Sequence, residues 1–378
     1  MTDINGLCPD RFAPVRDAFA ANFTDAPEGL NELAARFSVC VDGELILDLW
    51  AGHADTARSR PFEADTLVPV FSTGKSVMSL MIASAVERGL IAYDQPVAEV
   101  WPEFGQAGKD RLTLAQLMSH QAGLPGFSET IDPSLWFDRE AVLDRLAAQA
   151  PMWPPGTASG YHPITIGFLA GEVFRRVDGR SMGQALRQDF ADPYGLDLWI
   201  GLPEDRHDRV AQLRKPTAAP DLGTIDAIKR SAFLDRGSSP GGRGSAEWRM
   251  AEIPSANLHG RADALARILG IIATGGLMDG KRVLSGLTLA QLLEERIRGA
   301  DLVVPFEMSW AAGLMRNETL KVFGANPEAV GHSGWGGSMA MADPARGVSA
   351  AYVMTRQSPH LIGDPRSVRL VEALYAAL

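Results

Sequence analysis

The chain has 378 residues, 46% of them hydrophobic and 22% charged, a globular composition with apolar material for about two core-bearing units rather than a disordered segment. A formal net charge of −10 and an isoelectric point of about 5.3, with no basic run, exclude the cationic face that a nucleic-acid partner requires. No apolar run approaches the roughly 18 residues of a membrane span, and the opening MTDINGLCPDRF lacks the charged, apolar and small-residue regions of a secretory signal. The expected location is cytoplasmic, with no membrane partner. The two cysteines, Cys8 and Cys40, cannot form a Cys-x-x-Cys pair and read as plain thiols. Seven histidines without paired spacing suggest no metal site, and no cofactor is expected; the composition leaves a homo-oligomer open.

In chain order, residues 37–50, FSVCVDGELILDLW, set Asp42-Gly43 between two apolar, β-branched runs, a strong hairpin signal. Val77, Leu80, Met81, Ser84 and Ala85 come next at helical spacing, and Gly89 stops them, which predicts a helix buried on most sides. Helical patterns and Pro/Gly-rich loops continue to a strand expected around Trp310 to Met315. Residues 338–355, SMAMADPARGVSAAYVMT, repeat the hairpin pattern with Asp343-Pro344 and Gly347 in the turn, and a last helix is expected from about Ser367. The predicted fold class is α+β. One antiparallel sheet flanked by helices is formed by both ends of the chain, residues 1–70 and 275–378, around a mainly helical region, 71–274, that begins with FSTGKS.

FSTGKS, residues 71–76, has two readings. Gly74-Lys75-Ser76 resembles the end of a phosphate-binding loop, but the glycine required five residues earlier is Pro69, which lacks an N–H and fixes φ. The alternative is Ser72-x-x-Lys75, a serine nucleophile with a lysine one helical turn away on the same face. A helix start also offers backbone N–H groups to an oxyanion. A capping serine followed by a surface lysine has the same spacing.

Four further segments sharpen the choice. Leu117-Met118-Ser119-His120-Gln121-Ala122-Gly123-Leu124 precedes Pro155-Gly156 and Gly160-Tyr161-His162-Pro163, and Gly331-His332-Ser333-Gly334-Trp335-Gly336-Gly337 lies near the C-terminus. With Ser72-x-x-Lys75 these resemble, in order, the motifs of the serine β-lactamase-like superfamily of class C β-lactamases, D-alanyl-D-alanine carboxypeptidases and family VIII carboxylesterases. DLWAGHAD, DTLVPVFSTGKS, GYHPITIGFLAGEVFRRVDGRS and PYGLDLWIGLPE resemble the esterase branch, so the likeness spans nearly the whole chain. It implies catalytic Ser72, Lys75 and Tyr161, with Tyr161 as general base if a cationic Lys75 lowers its phenol pKa. It also implies an oxyanion hole made by the backbone N–H groups of Ser72 and Trp335, and a site edged by His332 and Gly334.

His332 stands where penicillin-recognising relatives usually have lysine, and Pro163 where β-lactamases place an asparagine. A neutral imidazole holds a carboxylate less firmly than an ammonium, so neutral esters are favoured over carboxylated β-lactams. Phe127, Trp136, Trp153 and Trp335 are candidates for an apolar acyl or alcohol pocket. Gly237-Ser238-Ser239-Pro240-Gly241 matches Gly-x-Ser-x-Gly, but without a visible strand before it and helix after it, it reads as a flexible loop rather than a nucleophile elbow. His120, His162 and His259 read as structural. The expected function is a serine carboxylesterase acting on a small-molecule ester, with an amidase, D-peptidase or weak β-lactamase of the same fold as the alternative. A catalytically silent binding protein should have lost Ser72, Lys75 or Tyr161, and all three are present.

Overall fold

In the computed structural model, which describes residues 3–378, both ends of the chain meet in one sheet. The N-terminal part supplies β1 (Asn5–Leu7), β2 (Ala34–Val41) and β3 (Glu44–Gly52). The C-terminal part supplies β4 (Ile297–Ala300), β5 (Glu307–Trp310), β6 (Met315–Arg316), β7 (Val330–Ser333), β8 (Met339–Asp343) and β9 (Val348–Met354). Among the described residues these form a 9-stranded antiparallel sheet in the order β1-β3-β2-β9-β8-β7-β6-β5-β4. The Asp42-Gly43 hairpin forms because both residues adopt positive φ, 50° and 87°, the conformation that matches a two-residue turn to the twist of its strands.

Five helices frame the sheet and the central region: α1 (Ala13–Thr24), α2 (Gly74–Glu87), α3 (Thr165–Asp178), α4 (Ala262–Ala273) and α5 (Pro365–Ala377). Alternation along β2 sends Ala35, Phe37 and Val39 into a core shared with Val15 and Phe19 of α1 and Leu370 and Leu374 of α5. Ala34 and Cys40 point to the opposite core, which holds α4 and continues into the central region. On that side Ala340, Ala342 and Ala351 have small side chains that leave room for α4, and Ser349 Oγ donates to the Ala266 carbonyl at 2.7 Å. The boundary expected at residue 275 therefore falls just after a helix that packs on the sheet, because the apolar face of α4 is covered by strands from both ends of the chain. The strand expected through Trp310 to Met315 is instead a tight corner. Trp310 pairs with Met315, Ala311 N donates to the Leu314 carbonyl at 2.9 Å, and Gly313 takes φ 87°.

The predicted helix over Val77 to Ala85 is α2, buried on nearly all sides from Gly74 to Ala85 and stopped at Gly89 with φ 69°. Its first glycine is a packing requirement: a Cβ on Gly74 would lie 2.8 Å from Leu258 Cβ and 3.1 Å from the Pro254 carbonyl oxygen. No helix among the described residues is long and apolar enough to cross a membrane.

Candidate active site

Ser72 lies in a short 3-10 turn, Phe71–Thr73, that leads directly into α2. Phe71 has φ 49°, a left-handed conformation that a side chain of this size rarely adopts and that costs about 1–3 kcal/mol. Lys75, one turn later, is fully buried, which rules out the surface-lysine reading of the spacing. Its Nζ lies 2.9 Å from Ser72 Oγ, 2.8 Å from the Pro163 carbonyl and 2.9 Å from the Ser255 carbonyl. The Tyr161 hydroxyl is 2.7 Å from the same Ser72 Oγ. The nucleophile thus sits between an amine and a phenol brought from 3 and 89 residues away.

Burial governs the protonation of all three polar neighbours. It holds Lys75 well below the usual lysine range, and it pushes the Tyr161 phenol up, against a smaller opposing effect of the Ser72 hydrogen bond. Both groups are therefore favoured in their neutral forms, and the expected depression of the Tyr161 pKa by a cationic Lys75 is not what this environment produces. His332 is pushed down to about 3, first by burial and then by the nearby Lys75, with its bond to Ser333 opposing. Its Nδ1 lies 2.7 Å from the Ser333 carbonyl, which fixes the proton on Nδ1 and leaves a buried Nε2 without a partner among the described residues.

The His332-bearing strand, β7, edges the site, and Gly334 joins it to the nucleophile's turn. A Cβ at Gly334 would lie 2.4 Å from the Val70 carbonyl, 2.2 Å from Ser338 Oγ and 2.7 Å from Thr73 Oγ1. Ser338 Oγ in turn donates to the Val70 carbonyl at 2.8 Å and lies 2.9 Å from Thr73 Oγ1. The Trp335 backbone N–H, next along the chain, meets no acceptor among the described residues. Gly334→Ala should lower stability by about 1–3 kcal/mol through overpacking and should slow serine labelling, measured by thermal melts and fluorophosphonate capture; a variant labelled at the wild-type rate would show that this contact does not set the site.

Over Ser72 opens a cavity of ≈ 170 Å³. Phe71, Ile164, Phe233, Trp248, Val304, Trp310, Met315, Leu361 and Ile362 make its wall largely apolar, with Tyr161, His332, Ser333 and Trp335 at the chemistry. Ser238, Ser239, Pro240 and Arg243 close another side. Arg243 is the one formally charged lining side chain among the described residues, and no carboxylate there pairs with it.

The profile of the family described as Beta-lactamase matches residues 19–374. The chain belongs to the beta-lactamase family. It is similar to the esterase/beta-lactamase LipL of Mycobacterium tuberculosis (strain ATCC 25618 / H37Rv), with 36% identity over 377 residues, covering 95% of this chain and 85% of that protein. A penicillin-binding protein homologue from Caulobacter crescentus superposes with a TM-score of 0.97 at 57% identity, and a family VIII carboxylesterase with 0.92 at 39%, each over 100% of both chains. With this family, fold and set of relatives, the chain is a serine hydrolase.

Not every expected site residue of this family member reaches the cavity. Ser72, Tyr161, His332 and Trp335 line it, with Lys75 directly beneath Ser72. Phe127, Trp136 and Trp153 do not. Phe127 and Trp136 pack against each other in the core, with ring centroids 5.0 Å apart and planes tilted by 50°, and Trp136 Nε1 donates to the Gly237 carbonyl at 2.7 Å, holding the 237–243 loop. Trp153 packs so close to Gly160 that a Cβ there would lie 2.5 Å from the indole, which makes it a support for the Tyr161 segment. Gly334 is absent from the lining because its role is close approach. Ser239 reaches the cavity, but among the described residues no base is hydrogen-bonded to it and the segment before it, Arg230–Leu234, is helical rather than a strand. His162 bonds Leu124 N at 2.9 Å and the Gly160 carbonyl at 2.6 Å, and His120 Nδ1 accepts from His162 N at 3.2 Å, so both brace main chain. Phe233, Trp248, Val304, Leu361 and Ile362 carry no local signal that distinguishes them from core residues.

Proposed function

We propose that this chain is a carboxylesterase that hydrolyses small, largely apolar esters through an acyl-enzyme on Ser72. The observation that carries the reading is Ser72 Oγ within hydrogen-bonding distance of both Lys75 Nζ and the Tyr161 hydroxyl at the floor of an apolar cavity. A neutral lysine has two N–H groups and one lone pair. The carbonyls of Pro163 and Ser255 take the two hydrogens, so the lone pair faces Ser72 and accepts its proton while Tyr161 donates to Oγ. As Oγ attacks the ester carbonyl, the resulting ammonium is held by those two carbonyls, and the oxyanion by the N–H groups of Ser72 and Trp335. The Tyr161 phenol then relays a proton from Lys75 to the leaving alkoxide, and water repeats the sequence in reverse to release the acid.

Neutral His332 and Pro163 in place of an amide leave no fixed partner for a carboxylate beside Ser72. Charged hydrogen bonds of that kind are worth about 1.5–3 kcal/mol, so kcat/KM for short neutral aryl esters should exceed that for a carboxylated cephalosporin by roughly tenfold to a hundredfold or more. A panel of aryl esters, nitrocefin and a D-amino-acid anilide tests this. A cephalosporin turned over as fast as an aryl acetate would overturn the ester assignment. Unpaired Arg243 favours a second reading, slow β-lactam or peptide-like turnover with the guanidinium meeting the carboxylate, and Arg243→Ala should remove that residual activity.

A further inference from the structure

Asp301 lies just after strand β4 and is buried, and its carboxylate accepts from N–H donors of four residues and from the Ser159 hydroxyl. Oδ1 accepts from the backbone N–H groups of Tyr161 at 2.8 Å, Val303 at 2.9 Å and Val304 at 3.1 Å. Oδ2 accepts from the indole N–H of Trp310 at 3.3 Å. Its neighbour Leu302 N donates to the Ser159 carbonyl at 2.9 Å, so the clamp is closed on both sides of the Tyr161 segment. No lysine, arginine or histidine pairs with this carboxylate among the described residues. Burial raises the Asp301 pKa above the ordinary carboxylate range, and the backbone N–H groups of Tyr161, Val303 and Val304 and the Ser159 hydroxyl oppose that rise by bonding the ionised form. The indole held by Oδ2 lies parallel to the Tyr161 ring, with centroids 5.9 Å apart and planes at 3°, and His120 meets both rings edge-on at 5.0 and 4.5 Å.

We propose that Asp301 is a positioning residue for the reaction: one buried carboxylate fixes Tyr161 by its backbone N–H and by the indole against which its ring lies. The same carboxylate holds Val304 and Trp310, which line the cavity, so the tyrosine and the substrate wall are set from a single point. The burial-driven rise of the Tyr161 pKa is reinforced by this charge. The inference rests on the assignment of Tyr161 to catalysis.

Asp301→Asn keeps an oxygen for the three backbone donors, removes the charge and turns an amide N–H₂ toward the indole N–H. Its kcat for an aryl ester should fall roughly tenfold to a hundredfold, with KM within about threefold, since a buried donor loses its partner at the catalytic group. With the Asp301 charge gone, the Tyr161 phenol should lose its proton at lower pH than in the wild type, so kcat at high pH should fall earlier in Asp301→Asn than in the wild type. In a Tyr161→Phe background the same substitution should cost almost nothing further, because a residue that acts through Tyr161 has nothing left to act on. Should Asp301→Asn fail to fold, Trp310→Phe removes the indole donor together with part of the cavity wall and should lower kcat several-fold. Equal losses in both backgrounds, or an unchanged kcat in Asp301→Asn or in Trp310→Phe, would overturn the proposal while leaving the esterase reading intact. A Tyr161→Phe enzyme with near-normal rate would overturn the proposal together with the relay role of Tyr161.

Discussion

Ser72→Ala should abolish ester hydrolysis, with a loss on the order of 10⁴–10⁶ in kcat, while Ser239→Ala should stay within a few-fold of wild type. Both hydroxyls border the same cavity, so access does not separate them. Activation does. Ser72 Oγ has an amine at 2.9 Å and a phenol at 2.7 Å, whereas Ser239 has no base hydrogen-bonded to it among the described residues and comes after a helical turn rather than a strand. The loss in Ser72→Ala should not be one of folding, because Lys75 keeps its bonds to the Pro163 and Ser255 carbonyls. Fluorophosphonate labelling followed by peptide mass mapping should place the adduct on the peptide containing Ser72, and an adduct on Ser239 would falsify the nucleophile assignment.

Lys75→Ala and Tyr161→Phe should each lose about 10²–10⁴-fold in kcat with KM little changed, and the double variant should be hardly worse than either, because base and relay act on one proton. In the wild type kcat/KM should rise with pH as Lys75 sheds its proton, at an apparent pKa below the roughly 10.4 of free lysine. That limb should vanish in Lys75→Ala and persist in Tyr161→Phe; the opposite pattern would make a Tyr161 phenolate the base. Stability should move in the same window. Burial lowers the Lys75 pKa in the folded state only, so below about 10.4 the unfolded chain binds a proton that the folded one does not, and stability falls as pH drops toward the folded-state pKa. Lys75→Met removes this penalty and should melt at a higher temperature than wild type near neutral pH while remaining inactive, the trade expected of a group kept for chemistry.

The parts of the site that rest on short spacing or local backbone needs were legible in the sequence. Ser72 and Lys75 meet because three residues make nearly one helical turn, Asp42-Gly43 turns because both residues accept positive φ, and Gly334 lies where strand and nucleophile turn approach too closely for a Cβ. Tyr161, His332 and Trp335 were legible as motif positions, although nothing local brings them to Ser72. Tertiary structure alone decided which apolar residues face the substrate. Phe127, Trp136 and Trp153 lie in the core, while Phe233, Trp248, Val304, Leu361 and Ile362 form the wall, because an apolar side chain satisfies either setting and its pattern does not say which side is empty. The protonation of the site also belongs to the fold. Desolvation that segments around residues 72, 161, 255 and 332 create together lowers the Lys75 pKa and raises that of Tyr161, and no one of those segments encodes it by itself.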